Sequence, residues 1–315
     1  MRIIFFGTPQ FAVPSLDALM AAGHDVVAVV TQPDRYRDVG PDRQPGPPIR
    51  PPIKTRALTA GIPVLQPERP RGDEFLTQLR DLKADIGVVV AYGHLLRPDL
   101  LALLPLGFVN VHASLLPRWR GAAPIHWAVL SGDPETGVAI MRMEQGLDTG
   151  AVWLQRRTPI LPTDTTGILF ERLADLGAKA LVEALPPIAA GETPTPQAAD
   201  GVTHAPKIDR ATARLRWDAN AVAVSHQIRA MDPAPGAWTT FHGADVKLFG
   251  GTPLPAPPST APETPGTLHF LPEGPAVVCG EGWLLLGDVQ AAGRRRMTAT
   301  AWATGLQTRE GAHFQ

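Results

Sequence analysis

The chain of 315 residues has one cysteine, Cys279, which cannot build an internal disulfide framework or a cysteine-rich zinc site. No stretch approaches 18 consecutive apolar residues, so no segment reads as a membrane-spanning helix. The opening apolar run, Met1 to Gly7, is too short for a secretory leader and reads as a buried first strand. An excess of either charge is missing as well. With 29 Lys and Arg against 30 Asp and Glu, the formal net charge is −1. That excludes an overall basic field for nucleic acid but leaves room for a local basic patch. The expected compartment is the cytoplasm, and nothing demands more than a monomer. Several chemical signatures are also missing. After Gly7 no glycine follows until Gly23, so the dinucleotide fingerprint G-x-G-x-x-G is not there. The phosphate loop G-x-x-x-x-G-K-[ST], the zinc motif H-E-x-x-H and the nucleophile elbow G-x-S-x-G are missing too. The nine histidines show no metal-ligand spacing, and no metal is expected.

What is present is ordinary globular composition with added proline. Hydrophobic residues make up 44% and charged residues 19%. Glycine (30) and proline (34) together reach about a fifth of the chain, below the level of low-complexity sequence. Strand and helix signals alternate through the first 180 residues, and residues 1–185 read as the catalytic domain. Strands are expected at Arg2 to Phe6, Asp25 to Thr31, Ile62 to Leu65, Asp85 to Tyr92 and Phe108 to His112, with extended segments at Gly137 to Met143 and Ala151 to Arg157. Helices are expected at Phe11 to Ala22, Asp73 to Lys83, Pro98 to Leu104, Gly121 to Leu130 and Thr165 to Leu185. Runs apolar on both faces, separated by helices, describe a doubly wound, mostly parallel Rossmann-like α/β sheet covered on both sides. Composition shifts at Pro186-Pro187, and residues 186–205, rich in proline, alanine, threonine and glycine, read as a linker. Residues 206–315 carry short apolar or alternating runs between turns and one helix, Ala219 to Met231, which suggests a small β-barrel. No internal repeat is visible.

Parallel sheets of this kind bind ligands at the carboxyl ends of their strands. Asn110 and His112 stand two apart at such an end, and a period of two places both side chains on one face. Burying that polar pair requires partners. Either both residues satisfy loop backbone, or they present an amide donor and an acid/base imidazole to one reacting carbonyl. Asp148, in the turn Gly146-Leu147-Asp148-Thr149-Gly150, is either a turn former or a carboxylate that orients the histidine. Together the three make an acyl-transfer site that needs no covalent enzyme intermediate when the attacking group is already an amine.

Four further features carry a resemblance. Asn110-Val111-His112 runs on to Ser114-Leu115-Leu116-Pro117 and then to Trp119-Arg120-Gly121-Ala122-Ala123-Pro124-Ile125. The chain opens with Phe6-Gly7-Thr8-Pro9 and turns at Thr31-Gln32-Pro33-Asp34-Arg35. Val90-Ala91-Tyr92-Gly93 ends the strongest strand. Over nearly its full length the sequence resembles the folate-dependent formyltransferases, within them the branch that acts on charged initiator tRNA. The resemblance implies 10-formyltetrahydrofolate as a co-substrate, with no permanently bound cofactor, and initiator methionyl-tRNA as acceptor. It implies that Asn110, His112 and Asp148 are catalytic, and that Ser114, Leu115, Leu116 and Pro117 with Val90, Ala91 and Tyr92 contact the folate. It implies that residues 206–315 form an OB-fold-like barrel that contacts tRNA. In that domain the run Arg294-Arg295-Arg296 is either an exposed basic turn or a phosphate contact, with Arg295 as the candidate. The segment Arg35 to Pro52, with four arginines and six prolines, would enter the acceptor stem. It departs from the family's glycine- and lysine-rich pattern, and Arg37 and Arg43 are both candidates for the main RNA contact. The nearest rival is a formyltransferase acting on an amino-sugar nucleotide, which shares the two-domain layout and needs no basic loop.

Overall fold

The computed structural model describes residues 1–36, 48–255 and 263–315. The chain divides into two compact units. The first comprises Met1–Gly121, Thr136–Thr158 and Phe170–His204, and the second Ala122–Glu135, Pro159–Leu169 and Ala205–Gln315.

In chain order the elements up to residue 205 are β1 (Arg2–Gly7), α1 (Val13–Ala21), β2 (Asp25–Val30), α2 (Pro52–Thr59), β3 (Val64–Leu65), α3 (Asp73–Asp81), β4 (Ile86–Val90), α4 (Pro98–Leu101), β5 (Phe108–His112), β6 (Arg120–Gly121), α5 (Pro124–Leu130), β7 (Glu135–Arg142), β8 (Val152–Pro159), α6 (Thr166–Ala189) and β9 (His204–Ala205). The first unit holds a seven-stranded sheet in the order β3-β2-β1-β4-β5-β7-β8. Strands β3, β2, β1, β4 and β5 are parallel, and β7 runs antiparallel to β5. The chain winds outward from β1 to β3 and then returns to lay β4 on the other side of β1. In open α/β sheets ligands bind beside such a reversal, which here falls at the carboxyl ends of β1 and β4, with β5 next to them. Strand β4 is buried throughout and β1 at every residue but its first, as expected of strands covered on both faces.

One face of the sheet holds Ile4, Phe6, Val30, Val89 and Phe108 against Phe75, Leu76, Leu79, Leu100 and Leu104 of α3, α4 and their flanks. Phe6 meets the rings of Tyr92 and Phe108 edge-on at centroid distances of 5.4 and 5.6 Å, contacts that add about 0.5–1.5 kcal/mol each beyond area burial. On the other face α6 lies against β5. A Cβ at Gly177 would come within 2.8 Å of Val111 Cγ1, so only glycine lets the helix approach that strand. The sequence predicted neither α2, whose buried Ile53 and Ala57 are four apart, nor the length of α6. That helix continues through Pro186 and Pro187 to Ala189, where a linker was expected from composition. The segment after it stays with the first unit: Thr195 and Val152 exchange backbone hydrogen bonds of 2.8 and 2.9 Å.

In the second unit α7 (Ala221–Ala230), capped by the Asn220 side chain, precedes β10 (Ala237–Phe241), β11 (Ala244–Leu254), β12 (Leu268–Leu271), β13 (Gly274–Val278), β14 (Trp283–Ala291), β15 (Met297–Thr298) and α8 (Ala299–Thr304). The antiparallel sheet has the order β10-β11-β14-β13-β12, with β15 on β14. The last residues join its two edges. Gln315 exchanges backbone hydrogen bonds with Thr240, while Phe314 N donates to Gly266 O at 2.9 Å and Leu268 N to Ala312 O at 3.0 Å. This gives the sheet barrel-like closure. Helix α5 and the start of α6 belong to this unit rather than to the first. Trp127 Nε1 donates to Pro206 O at 2.8 Å, Thr166 Oγ1 to Ala230 O at 2.7 Å and Arg229 Nη1 to Asp164 O at 2.7 Å.

Valine has at least the helix propensity of glycine, so Gly177→Val isolates the steric cost of the α6–β5 approach. It should lose about 1–3 kcal/mol of stability by urea unfolding. A loss under about 0.5 kcal/mol would contradict the packing described.

Candidate active site

Asn110 and His112 lie on one face of β5, two residues beyond buried Phe108. Asn110 is paired in the sheet between Val89 of β4 and Met141 of β7, and His112 opposite Ala139. The Asn110 side chain is half-buried and makes no hydrogen bond among the described residues, so its amide is free to donate. His112 is 5% exposed. Its Nε2 lies 2.9 Å from the carbonyl oxygen of Trp119, an acceptor only, so Nε2 carries the proton in that contact. Its Nδ1 lies 3.7 Å from Asp148 Oδ2, an ion-pair distance longer than a hydrogen bond. The three residues expected to converge are thus in one unit at one end of the sheet. The hydrogen bond that fixes the imidazole, however, comes from the Trp119 backbone and not from Asp148.

The Asp148 carboxylate is itself aimed. Its Oδ2 accepts the Gly121 N–H at 2.8 Å. Asp148 sits at φ 52°, in the left-handed region that aspartate tolerates better than most residues. Gly150 follows where no side chain fits, because a Cβ would stand 1.9 Å from Arg142 O. Trp119 has φ 62°, an unusual value for a bulky residue, and this turns its carbonyl toward His112. Several contacts over-determine it: its N–H donates to Thr203 Oγ1 at 2.9 Å, the Arg118 guanidinium stacks 4.3 Å over its ring, and Arg120 N donates to Thr203 O at 2.9 Å. Ala91, at the end of β4, is a third non-glycine residue with positive φ, 48°.

The residues expected to contact folate divide by exposure. Ala91 is exposed, Val90 is buried in the sheet, and the Tyr92 side chain is in the core at 1% exposure. Burial pushes the Tyr92 phenol up to about 12. The Tyr92 carbonyl accepts from Thr8 Oγ1 at 3.0 Å and Gln32 Nε2 at 3.1 Å. Ser114 is fully buried and its Oγ closes the turn onto Arg118 O at 2.6 Å. Leu116 packs with Ala139 and Met141, its carbonyl takes Gln155 Nε2 at 2.7 Å, and Leu115 and Pro117 are half-buried. Arg37 and Arg43 lie outside the described residues. Arg295 is exposed, whereas its neighbour Arg296 binds Asp288 and Asp232 and stacks on Phe249. A hollow of about 570 Å³ in the second unit, lined by Arg214, Arg216, Trp217, His313 and Gln315 among others, shares no residue with the Asn110–His112–Asp148 group. No cluster of three His, Cys, Asp or Glu could hold a metal among the described residues, and no helix there is long and apolar enough to cross a membrane.

Beside the strand end a polar network holds the base of the arginine-rich segment. Lys54 Nζ binds both oxygens of Asp34 at 2.8 and 2.9 Å and Gln66 Oε1 at 2.6 Å. Gln66 Nε2 in turn reaches Gln32 O and Asp34 Oδ1, both at 2.9 Å. Arg35 and Ile49 pair backbone to backbone across the stem. Hydrogen bonds from Lys54 and Gln66 hold the Asp34 carboxyl below the usual range.

Residues 1–185 match the family described as formyl transferase, and residues 207–307 match formyl transferase, C-terminal domain. The chain belongs to the formyl transferase family. The methionyl-tRNA formyltransferase of Heliobacterium modesticaldum is 44% identical over 321 residues, covering all of both chains. That of Jannaschia sp. is 46% identical over 311 residues, 99% of each. Among solved structures, an N-formyltransferase from Helicobacter canadensis superposes with a TM-score of 0.67 at 17% identity, over 92% of this chain and 98% of that one. HypX from Aquifex aeolicus gives 0.65 at 18% identity; the chain spans 48% of its length. At these identities the two structures share the fold alone.

Two predictions follow from this geometry. Because Gly150 excludes a Cβ, Gly150→Ala should displace the Asp148 turn and lower kcat on the order of 10²-fold with the protein still folded; an unchanged rate would contradict the placement of the turn. Because Asp34 is held below its ordinary value, its contribution to stability is complete above about pH 4 and is lost as the pH falls through the lowered value. Asp34→Asn should therefore lower the urea midpoint at pH 7, with the deficit shrinking at pH 3 and below. A deficit that grows on acidification would contradict the network.

Proposed function

We propose that the chain transfers the formyl group of 10-formyltetrahydrofolate to the free α-amino group of methionyl-initiator tRNA, with Asn110, His112 and Asp148 as the catalytic residues. The observation that carries the reading is the Asn110–His112–Asp148 group at the strand end, in a chain whose full-length relatives are methionyl-tRNA formyltransferases. The uncharged amine attacks the formyl carbon, and its nitrogen forms the new bond as the carbonyl becomes an oxyanion. The Asn110 amide donates to that oxygen, an interaction worth about 2.7–4 kcal/mol for one preorganised donor. The amine's surplus proton passes through His112 beside Asp148 to N10 of the folate as the carbon–N10 bond breaks. Tetrahydrofolate and the N-formylated ester leave with no net change in protons. The His112 ring faces acceptors on both nitrogens, Trp119 O and Asp148 Oδ2, so a protonated ring satisfies both contacts while the neutral ring satisfies one. That arrangement suits a group that holds a proton briefly and passes it on.

The folate lies at the ends of β4 and β5. Ala91 is the exposed member of the expected set, and the Ser114 to Pro117 turn shapes the wall through its backbone. The tRNA is held by Arg37 or Arg43 in the first unit and by Arg295 in the second. The protein works in the cytoplasm as a monomer. The amino-sugar reading has only fold likeness in its favour, because the N-formyltransferase from Helicobacter canadensis, solved in complex with folinic acid and dTDP-3-aminofucose, is 17% identical to the chain.

With labelled 10-formyltetrahydrofolate, label should appear on charged initiator tRNA and not on an amino-sugar nucleotide; the reverse would overturn the assignment. Asn110→Ala should lower kcat about 10²–10³-fold, and His112→Ala about 10²–10⁴-fold. Near-normal rates in either would remove those roles. Arg43→Ala or Arg37→Ala should raise KM for the tRNA and leave KM for folate unchanged. Losing one phosphate contact should also flatten the salt dependence by about one unit of log–log slope. If neither variant changes tRNA use, the segment has no part in binding.

A further inference from the structure

Gln197 lies in the stretch whose composition suggested a linker, yet every polar atom of its side chain is engaged at the site. Its Oε1 accepts from Arg120 Nε at 3.0 Å and Nη2 at 2.7 Å. Its Nε2 donates to Asp148 O and Gly150 O, each at 2.8 Å. Arginine offers only donors and a carbonyl only accepts, so these partners admit one orientation of the amide. The backbone around it is held on both sides, by Thr195 against Val152 and by Thr203 against Trp119 and Arg120. The contacts form a closed ring: Gln197 to Arg120, Arg120 through the chain to Gly121, Gly121 N–H to Asp148 Oδ2, and Asp148 O back to Gln197. Asp148 at φ 52° and Gly150 against Arg142 O make this a turn of unusual conformation, which needs outside support to persist. All of these residues belong to the first unit.

We propose that Gln197 is a positioning residue that holds the 148–150 turn so that the Asp148 carboxylate faces His112. Resting on the catalytic reading of Asp148, this adds a residue whose own groups are all consumed within the protein and never reach substrate. Removing the Nε2 donor frees two carbonyls and lets the turn move, which lowers kcat without weakening either substrate's binding.

The test is steady-state formylation by wild type, Gln197→Ala, Gln197→Glu, Asp148→Asn and the Gln197→Glu/Asp148→Asn double variant, each checked for folding by circular dichroism. Gln197→Ala should lose about tenfold or more in kcat, with KM for both substrates within about twofold of wild type. Gln197→Glu keeps an acceptor for Arg120 but has no donor for the carbonyls, so it should lose as much; it carries the test if the alanine variant fails to fold. The double variant should be no slower than Asp148→Asn within about threefold, because both changes remove the same interaction. Three results would overturn the proposal: Gln197→Glu at wild-type rate, losses that multiply in the double variant, or a defect in KM alone. Asp148→Asn with normal turnover would overturn the catalytic reading itself, and the proposal with it. A slow Asp148→Asn beside normal Gln197 variants would sink the proposal alone.

Discussion

The contact on which the site depends is the one between His112 Nε2 and the carbonyl of Trp119, 2.9 Å apart on a side chain with almost no exposure. It sets the ring plane and assigns the proton to one nitrogen, and it leaves the other nitrogen to face Asp148. A backbone carbonyl can do this only if the chain turns it inward, and Trp119 does so at positive φ. Such a conformation costs on the order of 1–2 kcal/mol. The surrounding contacts, from Thr203 and the stacked Arg118, restrain it. The imidazole is thus oriented by the loop that follows its own strand, and the carboxylate by a separate turn.

The position of this arrangement follows from the sheet. Five parallel strands with a reversal between β1 and β4 leave the carboxyl ends of β1, β4 and β5 side by side. Phe108 anchors β5 in the aromatic cluster with Phe6 and Tyr92, and on the opposite face Val111 anchors it against Gly177. A strand held on both faces can carry a half-buried asparagine with no side-chain partner among the described residues, a group that would otherwise be costly to bury. Packing of the apolar residues therefore stabilises the polar ones in place.

Much of this was legible in the residues. Continuous apolar runs marked β1, β2, β4 and β5, and the period of two put Asn110 and His112 on one face. The glycine-flanked turn singled out Asp148. Other features were hidden for physical reasons. The Trp119 contact is made by a backbone atom, and side-chain identity carries no sign of it. Gln197 stands among proline, alanine, threonine and glycine, a composition that elsewhere means a mobile linker, and its role depends on partners 77 and 49 residues away. Helix α5 reads as another helix of the sheet domain, yet it groups with the second unit, where Trp127 reaches Pro206. Local pattern does not encode such long-range choices.

The most direct measurement is the protonation of the two His112 ring nitrogens, read by ¹⁵N NMR on protein with labelled histidine and assigned against His112→Gln. The account predicts that Nε2 carries a proton at every pH where the protein is folded and active, because Trp119 O offers it only an acceptor. A spectrum in which Nδ1 is protonated and Nε2 is bare would contradict it, since the ring would then be held by Asp148 and not by the backbone of Trp119.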